Sequence, residues 1–270
     1  MTDVTPGSDG LSALVAAPER GLVAVDFDGT LAPIVPDPEQ AVVDPTARAA
    51  LARMGRLVGT VAVITGRPTR TAVRLGGFEG VEGLEDLIVL GQYGVERWDA
   101  ATGEYLDPPI PREVIEAKDA MAELIADEGV MLEDKGRAIA LHFRNAERPQ
   151  DTMDRYRDAV RRIAEQRGLT VEPGRLVFEV RATGMDKGQA LRALVAEREA
   201  RAVIFCGDDL GDVAAFAAVD ELAAEGVPGV KVAVVSQEQQ ALAARADVVV
   251  TSPADLAGWL DEVAEKLARP

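Results

Sequence analysis

The chain has 270 residues, enough for one large domain or two modest ones, and 47% of them are hydrophobic, enough for a real core. Aromatic residues make up only 4%, so alanine, valine and leucine must build that core. Acidic residues outnumber basic ones by 46 to 29, and the net charge of −17 excludes sequence-independent binding to nucleic acid or to an anionic membrane.

Residues 1–10 are polar and rich in turn formers, and residues 1–19 are expected to be a flexible segment. Leu11–Ala17 is apolar but short and lacks a basic leader, so no signal peptide is expected. No stretch reaches about 18 apolar residues, so no membrane span is expected. Cys206 is the only cysteine, which rules out an intrachain disulfide and fits a reducing, cytoplasmic location.

Leu22–Val25 reads as a strand buried on both faces, which suggests a parallel sheet. It runs into Asp26-Phe27-Asp28-Gly29-Thr30-Leu31. In open parallel sheets, ligands sit beyond the carboxyl ends of the strands. Alternation along extended backbone points Asp26 and Asp28 the same way, and Gly29 allows a sharp turn. Two adjacent carboxylates repel, and a hard divalent cation such as Mg2+ would relieve this. The plainer alternative is a strand ending in a solvated acidic turn.

Asp44-Pro45 opens a helix through Leu57, with Asp44 as its cap. Thr60–Ile64 is a second buried strand, ending in Thr65-Gly66-Arg67-Pro68, and Pro68 opens another helix. Leu87–Leu90 is a third strand. Strands alternating with helices imply right-handed crossovers.

The pattern changes near residue 100, where Pro108, Pro109 and Pro111 mark a boundary. Glu113–Glu128 and Thr152–Arg167 read as helices, and Leu176–Arg181 as a strand. Met131–Arg144 alternates Ala138, Ala140, His142 and Arg144 against Ile139, Leu141 and Phe143, the mark of a strand with one exposed face. Buried strands then return, with Lys187 opening a helix, Ala202–Cys206 running into Gly207-Asp208-Asp209, a helix from Asp212, strands at Val230–Val235 and Asp247–Val250, and a closing helix to Leu267. The expected fold class is α/β: a Rossmann-like parallel-sheet core over 20–102 and 182–270, interrupted by an α+β cap over 103–181.

Four features fall where parallel strands should end: Asp26-x-Asp28, Thr65-Gly66-Arg67, Lys187 and Gly207-Asp208-Asp209. Each has a structural reading alone, for Thr65 a helix cap and for the aspartates an acidic loop. Lys187 at a helix start sits against the helix dipole, a hint of another role. Together they suit phosphoryl chemistry. A carboxylate can be the nucleophile, a second can protonate the leaving oxygen, and a metal, a lysine, a hydroxyl and backbone N–H groups can hold phosphoryl oxygens.

In this order the motifs resemble the haloacid-dehalogenase-like phosphotransferase superfamily, of the type with an α/β cap between its second and third motifs. More narrowly, DFDGTLAPI at 26–34, ITGRP at 64–68, GQYGVER at 91–97, EDKGRAIALHFR at 133–144, FEVR at 178–181, MDKGQAL at 185–191 and GDDLGDVAAF at 207–216 resemble the trehalose-6-phosphate phosphatase family. The likeness runs from Gly21 to Ser236. It implies hydrolysis of trehalose 6-phosphate through an aspartyl-phosphate, with Asp26 as nucleophile and Asp28 as general acid and base. Mg2+ would be held by Asp26, the Asp28 backbone carbonyl and Asp208. Thr65, the Gly66 N–H and Lys187 would bind the phosphoryl group, with Asp209 and Asp212 supporting the metal waters and Lys187. Glu133, Lys135 and Glu179 match sugar-contacting positions, and Arg67, Arg144 and Arg181 are candidate additions. A monomer is expected.

Two departures stand out. The family commonly has Thr-Asp-Glu where this chain has Gly211-Asp212-Val213, and Gly-x-His-Gly where it has Gly91-Gln92-Tyr93-Gly94. The second leaves room for another sugar, such as a sucrose phosphate or mannosylglycerate phosphate. A phosphomutase, or a non-catalytic phosphosugar-binding module, is the further alternative. His142 reads as a structural histidine or a substrate contact, not a metal ligand, because it has no histidine or cysteine partner. Cys206 reads as a buried structural thiol.

Overall fold

The computed structural model describes residues 7–182, 184–235 and 242–269. Residues 1–6 of the segment expected to be flexible, and Ser236 at the end of the family likeness, lie outside them. In chain order the elements begin with α1 (Ser8–Ala16), β1 (Gly21–Val25), α2 (Pro45–Gly55), β2 (Thr60–Ile64), α3 (Thr69–Gly76), β3 (Ile88–Gly91), β4 (Glu96–Asp99) and β5 (Glu104–Leu106). Then come α4 (Arg112–Leu124), β6 (Met131–Asp134), β7 (Ala138–His142), α5 (Pro149–Glu165), β8 (Leu169–Gly174) and β9 (Val177–Ala182). The chain finishes with α6 (Lys187–Glu197), β10 (Ala202–Gly207), α7 (Val213–Ala224), β11 (Gly229–Val234), β12 (Val248–Val250) and α8 (Pro253–Leu267). Among the described residues, no helix is long and apolar enough to cross a membrane.

The chain divides into two compact units, one made of residues 1–107 and 185–270, the other of 108–184. In the first, an eight-stranded sheet runs β12-β11-β10-β1-β2-β3-β4-β5. The strands from β12 to β3 are parallel, and β4 and β5 extend the edge antiparallel. The fold is α/β with a parallel core. Alternate residues of β1 serve opposite faces. Val23 and Val25 join a cluster with α2 and α8, while Leu22 and Ala24 join one with α6 and α7. The cap of α2 forms as its sequence predicts, with Asp44 accepting from the N–H groups of Thr46 and Ala47 at 2.7 and 3.3 Å.

Two expectations change here. Residues 8–16 are a helix, not a flexible segment. Leu14 is fully buried in the first unit's core, and a Cβ on Gly10 would lie 2.4 Å from the Gly229 carbonyl oxygen, so the absent side chain lets α1 sit directly on the start of β11. Leu14→Ala is expected to cost about 2–5 kcal/mol, read as a lower urea midpoint with an unchanged slope. An unshifted midpoint would mean that α1 does not belong to the folding unit. The second change is that β5 carries the first unit past residue 102, to Asp107.

In the second unit, an antiparallel sheet ordered β6-β7-β9-β8 packs one face against α4 and α5. Phe143 is central, edge-on to Tyr156 and Phe178 at 5.4 and 5.6 Å between ring centroids. The stretch Met131–Arg144 is a hairpin rather than one strand, turned where Asp134 Oδ1 accepts from the Gly136 N–H. Nor is its second face open at the alanines. Ala138 and Ala140 are fully buried, and Ala140 sits in register between Glu133 and Glu179, whose longer side chains flank it.

Candidate active site

Three neighbouring strands of the first unit end side by side. β1 runs into Asp26, β2 into Thr65 and β10 into Asp208, and the sheet order β10-β1-β2 makes these ends adjacent. The Asp26 N–H donates to the Cys206 carbonyl at 2.8 Å, carrying the β1–β10 pairing one residue past the strand. α6 opens at Lys187, capped by Asp186, which accepts from the Gln189 N–H at 2.8 Å.

Lys187 reaches the same place. Its Nζ lies 2.6 Å from Asp26 Oδ1 and 2.7 Å from Asp212 Oδ1, and all three side chains are buried. Asp212 uses its other oxygen to accept the N–H groups of Asp208 and Asp209, at 3.0 and 3.2 Å, which ties the acidic loop into a closed turn. Asp209 completes the turn by accepting from the Gly211 N–H. Asp212 was expected to support Lys187, and it is found in direct contact with it. Gly29 has φ 75°, and a Cβ there would lie 2.1 Å from Asp208 Oδ2, so only glycine lets the two loops approach.

Carboxylate oxygens of Asp26, Asp208 and Asp212 lie within 4.8 Å of one another. Three buried acids thus face one ammonium. Burial, reinforced by Asp26, Asp209 and Asp212, pushes the Asp208 carboxyl up to about 10. Burial also raises Asp26, outweighing the attraction of Lys187. For Lys187 burial acts the other way, but Asp212 and Asp26 outweigh it and hold the ammonium well above the ordinary lysine value. The donor set is oxygen only, crowded and short of positive charge. A hard divalent cation such as Mg2+ fits it on all three counts.

Asp28 has a different partner. Arg67 grips it with two parallel bonds, Nε to Oδ2 and Nη2 to Oδ1, both 2.6 Å. The guanidinium also lies 5.3 Å from the centroid of the Phe27 ring. The Arg67 N–H donates to Thr65 Oγ1 at 3.1 Å, so one residue links the Asp26–Asp28 loop to the Thr65 loop. Glu96 belongs to this frame as well. It accepts from the Thr69 N–H at 2.8 Å and so fills the N-terminus of α3. Its role was not legible in sequence, because the pairing crosses from the β4 edge to a helix start.

The candidate residues of the second unit gather on one face of its sheet, opposite the helices. Glu133, Ala140 and Glu179 share a register row. Glu133 Oε2 lies 2.8 Å from His142 Nε2, Lys135 Nζ donates to Glu179 at 2.6 Å, and Arg181 donates to Glu172 at 2.9 Å. Arg144 is exposed in the turn after β7.

A sequence model of the trehalose-phosphatase family matches residues 24–252, from within β1 past β12. The chain belongs to the trehalose-phosphatase family. Among similar members, the trehalose-phosphate phosphatase of Mycobacterium marinum is 31% identical over 257 residues, covering 92% of this chain. The chain spans only 63% of that relative's length. The trehalose-6-phosphate phosphatase of Escherichia coli K12 is 31% identical over 205 residues, 73% of each chain. The C-terminal domain of the C. albicans trehalose-6-phosphate phosphatase shares the fold, with a TM-score of 0.76 at 21% identity over 97% of this chain and 99% of that one. The trehalose-phosphatase match takes in every candidate site residue of both units, from Asp26 to Asp212.

Proposed function

We propose that this chain is a Mg2+-dependent phosphomonoester hydrolase that converts trehalose 6-phosphate and water to trehalose and phosphate. The observation that carries this is the buried set of Asp26, Asp208 and Asp212 around Lys187, beside the Asp28–Arg67 pair. The named activities of the family's members support the choice of sugar.

A carboxylate oxygen of Asp26 attacks phosphorus. The bond from phosphorus to the sugar oxygen breaks, and Asp28 gives that oxygen a proton, releasing trehalose and leaving an aspartyl-phosphate. Asp28 then takes a proton from water as the water oxygen attacks phosphorus, and the bond to Asp26 breaks. Both oxygens of Asp28 are engaged by Arg67, so proton delivery requires one of these bonds to open first. Thr65 Oγ1, the Gly66 N–H and Lys187 hold the phosphoryl oxygens, while Asp209 and Asp212 brace the acidic loop. Asp26, the Asp28 carbonyl and Asp208 would hold Mg2+, with Asp212 close by. When bound, it supplies positive charge for the phosphoryl oxygens and cancels repulsion among the carboxylates. The second unit would act as the cap that reads the sugar, through Glu133, Lys135 and Glu179, with Arg67, Arg144 and Arg181 as further contacts. The protein would work as a cytoplasmic monomer.

Phosphate release tests this directly. With Mg2+, release from trehalose 6-phosphate should far exceed that from sucrose 6-phosphate, glucose 6-phosphate or an aryl phosphate, and EDTA should remove it. Metal-dependent release from another sugar would keep the roles of Asp26 and Asp28 and change the substrate. No release from any of them would sink the reading.

A further inference from the structure

The loop after β3 carries an uncommon backbone. Gln92 and Tyr93 have φ of 48° and 60°, and Gly94 follows at 99°. A non-glycine residue in the left-handed region is unusual, and two in succession are more so. Only four non-glycine residues among those described have positive φ, and half of them are here. Strain of this kind persists where surrounding structure over-determines it, and it concentrates at functional sites.

The over-determining contacts are identifiable. The Gln92 N–H donates to the Arg67 carbonyl and the Tyr93 N–H to the Thr65 carbonyl, each at 2.9 Å. The loop is therefore stitched across both ends of the Thr65-Gly66-Arg67 turn. The Thr65 N–H in turn donates to the Leu90 carbonyl at 2.9 Å, and the Gly91 N–H to Thr69 Oγ1 at 3.1 Å. Between the two stitches stands the Tyr93 ring. A Cβ built on Gly66 would meet its hydroxyl oxygen at 2.9 Å and its Cζ at 3.0 Å. The ring is half-buried and covers Gly66 where a side chain would otherwise project.

We infer that Tyr93 is a positioning residue for the phosphoryl-binding turn. Its N–H ties down Thr65, the N–H of Gln92 beside it ties down Arg67, and the Tyr93 ring packs over Gly66 between them. The turn then presents the Thr65 hydroxyl and the Gly66 N–H to an anion without having to order on binding. This rests on the proposed role of Thr65 and Gly66, but it names a residue outside the phosphoryl contacts. The part is played by the ring, at a position where the family commonly has histidine.

The test uses inorganic phosphate as the probe, in the presence of Mg2+. Tyr93→Gly removes the ring and at the same time makes the left-handed backbone easy to adopt, so the fold is not challenged by strain. It should raise the Ki for phosphate, and the KM for substrate, by at least about fivefold, with a smaller change in kcat. Tyr93→Phe keeps the ring and should restore both constants to within about twofold of the parent chain. Tyr93→Gly with an unchanged Ki would overturn the inference, and so would Tyr93→Phe as impaired as Tyr93→Gly. If the parent chain released no phosphate from any ester, the functional reading would fail. The phosphate-induced rise in Tm would still test Tyr93: it should be present in the parent and Tyr93→Phe and diminished in Tyr93→Gly, and an equal rise in all three would overturn the inference.

Discussion

Asp26→Asn should abolish phosphate release, by about 10⁴-fold or more, in a protein that stays folded. The amide keeps the shape of the carboxylate and can still accept from Lys187 Nζ, which lies 2.6 Å from Asp26 Oδ1. It removes one of three crowded acids, so the metal-free fold should be no less stable, and its Tm should hold or rise. The loss must therefore appear in turnover and not in folding. A folded Asp26→Asn protein with ordinary activity would end the nucleophile assignment. Activity lost together with the cooperative melt would leave it without support.

Lys187→Met should act on stability as strongly as on activity. The lysine ammonium contacts both Asp26 and Asp212, at 2.6 and 2.7 Å. Breaking a buried pair by removing one partner costs about 3–5 kcal/mol, because the other partner stays buried and uncompensated. The sign with pH follows from the raised carboxyls. Asp26, Asp208 and Asp212 are each raised in the folded chain, so the folded state holds protons that the unfolded state has released. Stability from these groups is greatest at acid pH and falls as pH rises, for Asp208 across the window from about 4 to about 10. The Lys187 ammonium, itself raised, is charged throughout that window and limits the fall. The gap between the parent chain and Lys187→Met, measured by urea unfolding without metal, should therefore widen from pH 5 to pH 8. A constant gap would mean that the lysine acts only through packing.

How much of this could be read in the chain depends on where each interaction closes. The strands Leu22–Val25 and Thr60–Ile64 were legible because both of their faces are buried, so the apolar run is unbroken. β4 carries Glu96, Arg97 and Asp99 around a single buried Trp98, and β8 is an edge strand bearing Pro173. β4 has neither the alternation nor the apolar run that marks a strand, and β8 alternates only over residues 169–172 before Pro173 and Gly174 break the pattern. The same division holds in the site. Asp26, Thr65, Lys187 and Asp208 could be read because each stands where a strand ends or a helix begins. That Arg67 would pair with Asp28 and that Glu96 would fill the start of α3 depends on which loops meet, and nothing local sets that; the support of Lys187 by Asp212 came only from the family likeness. α1 was missed for a related reason. Its seat is a bare Gly10 against Gly229, a contact written in no periodic pattern.

The sheet of the first unit also dictates an order of events during synthesis. β1 lies between β2, its near neighbour in the chain, and β10, with Gly21 opposite Ala202. On a nascent chain growing from its N-terminus, one flank of β1 stays unpaired until β10, at Ala202–Gly207, has been translated. The interval is filled by residues 108–184, a continuous segment with its own sheet and apolar core. That segment can complete its contacts while the first unit still waits. Closing so long a loop is the slow, entropically costly step. A chain truncated after residue 184 and released should thus carry a protease-resistant second unit beside an N-terminal segment that is still open to chaperones.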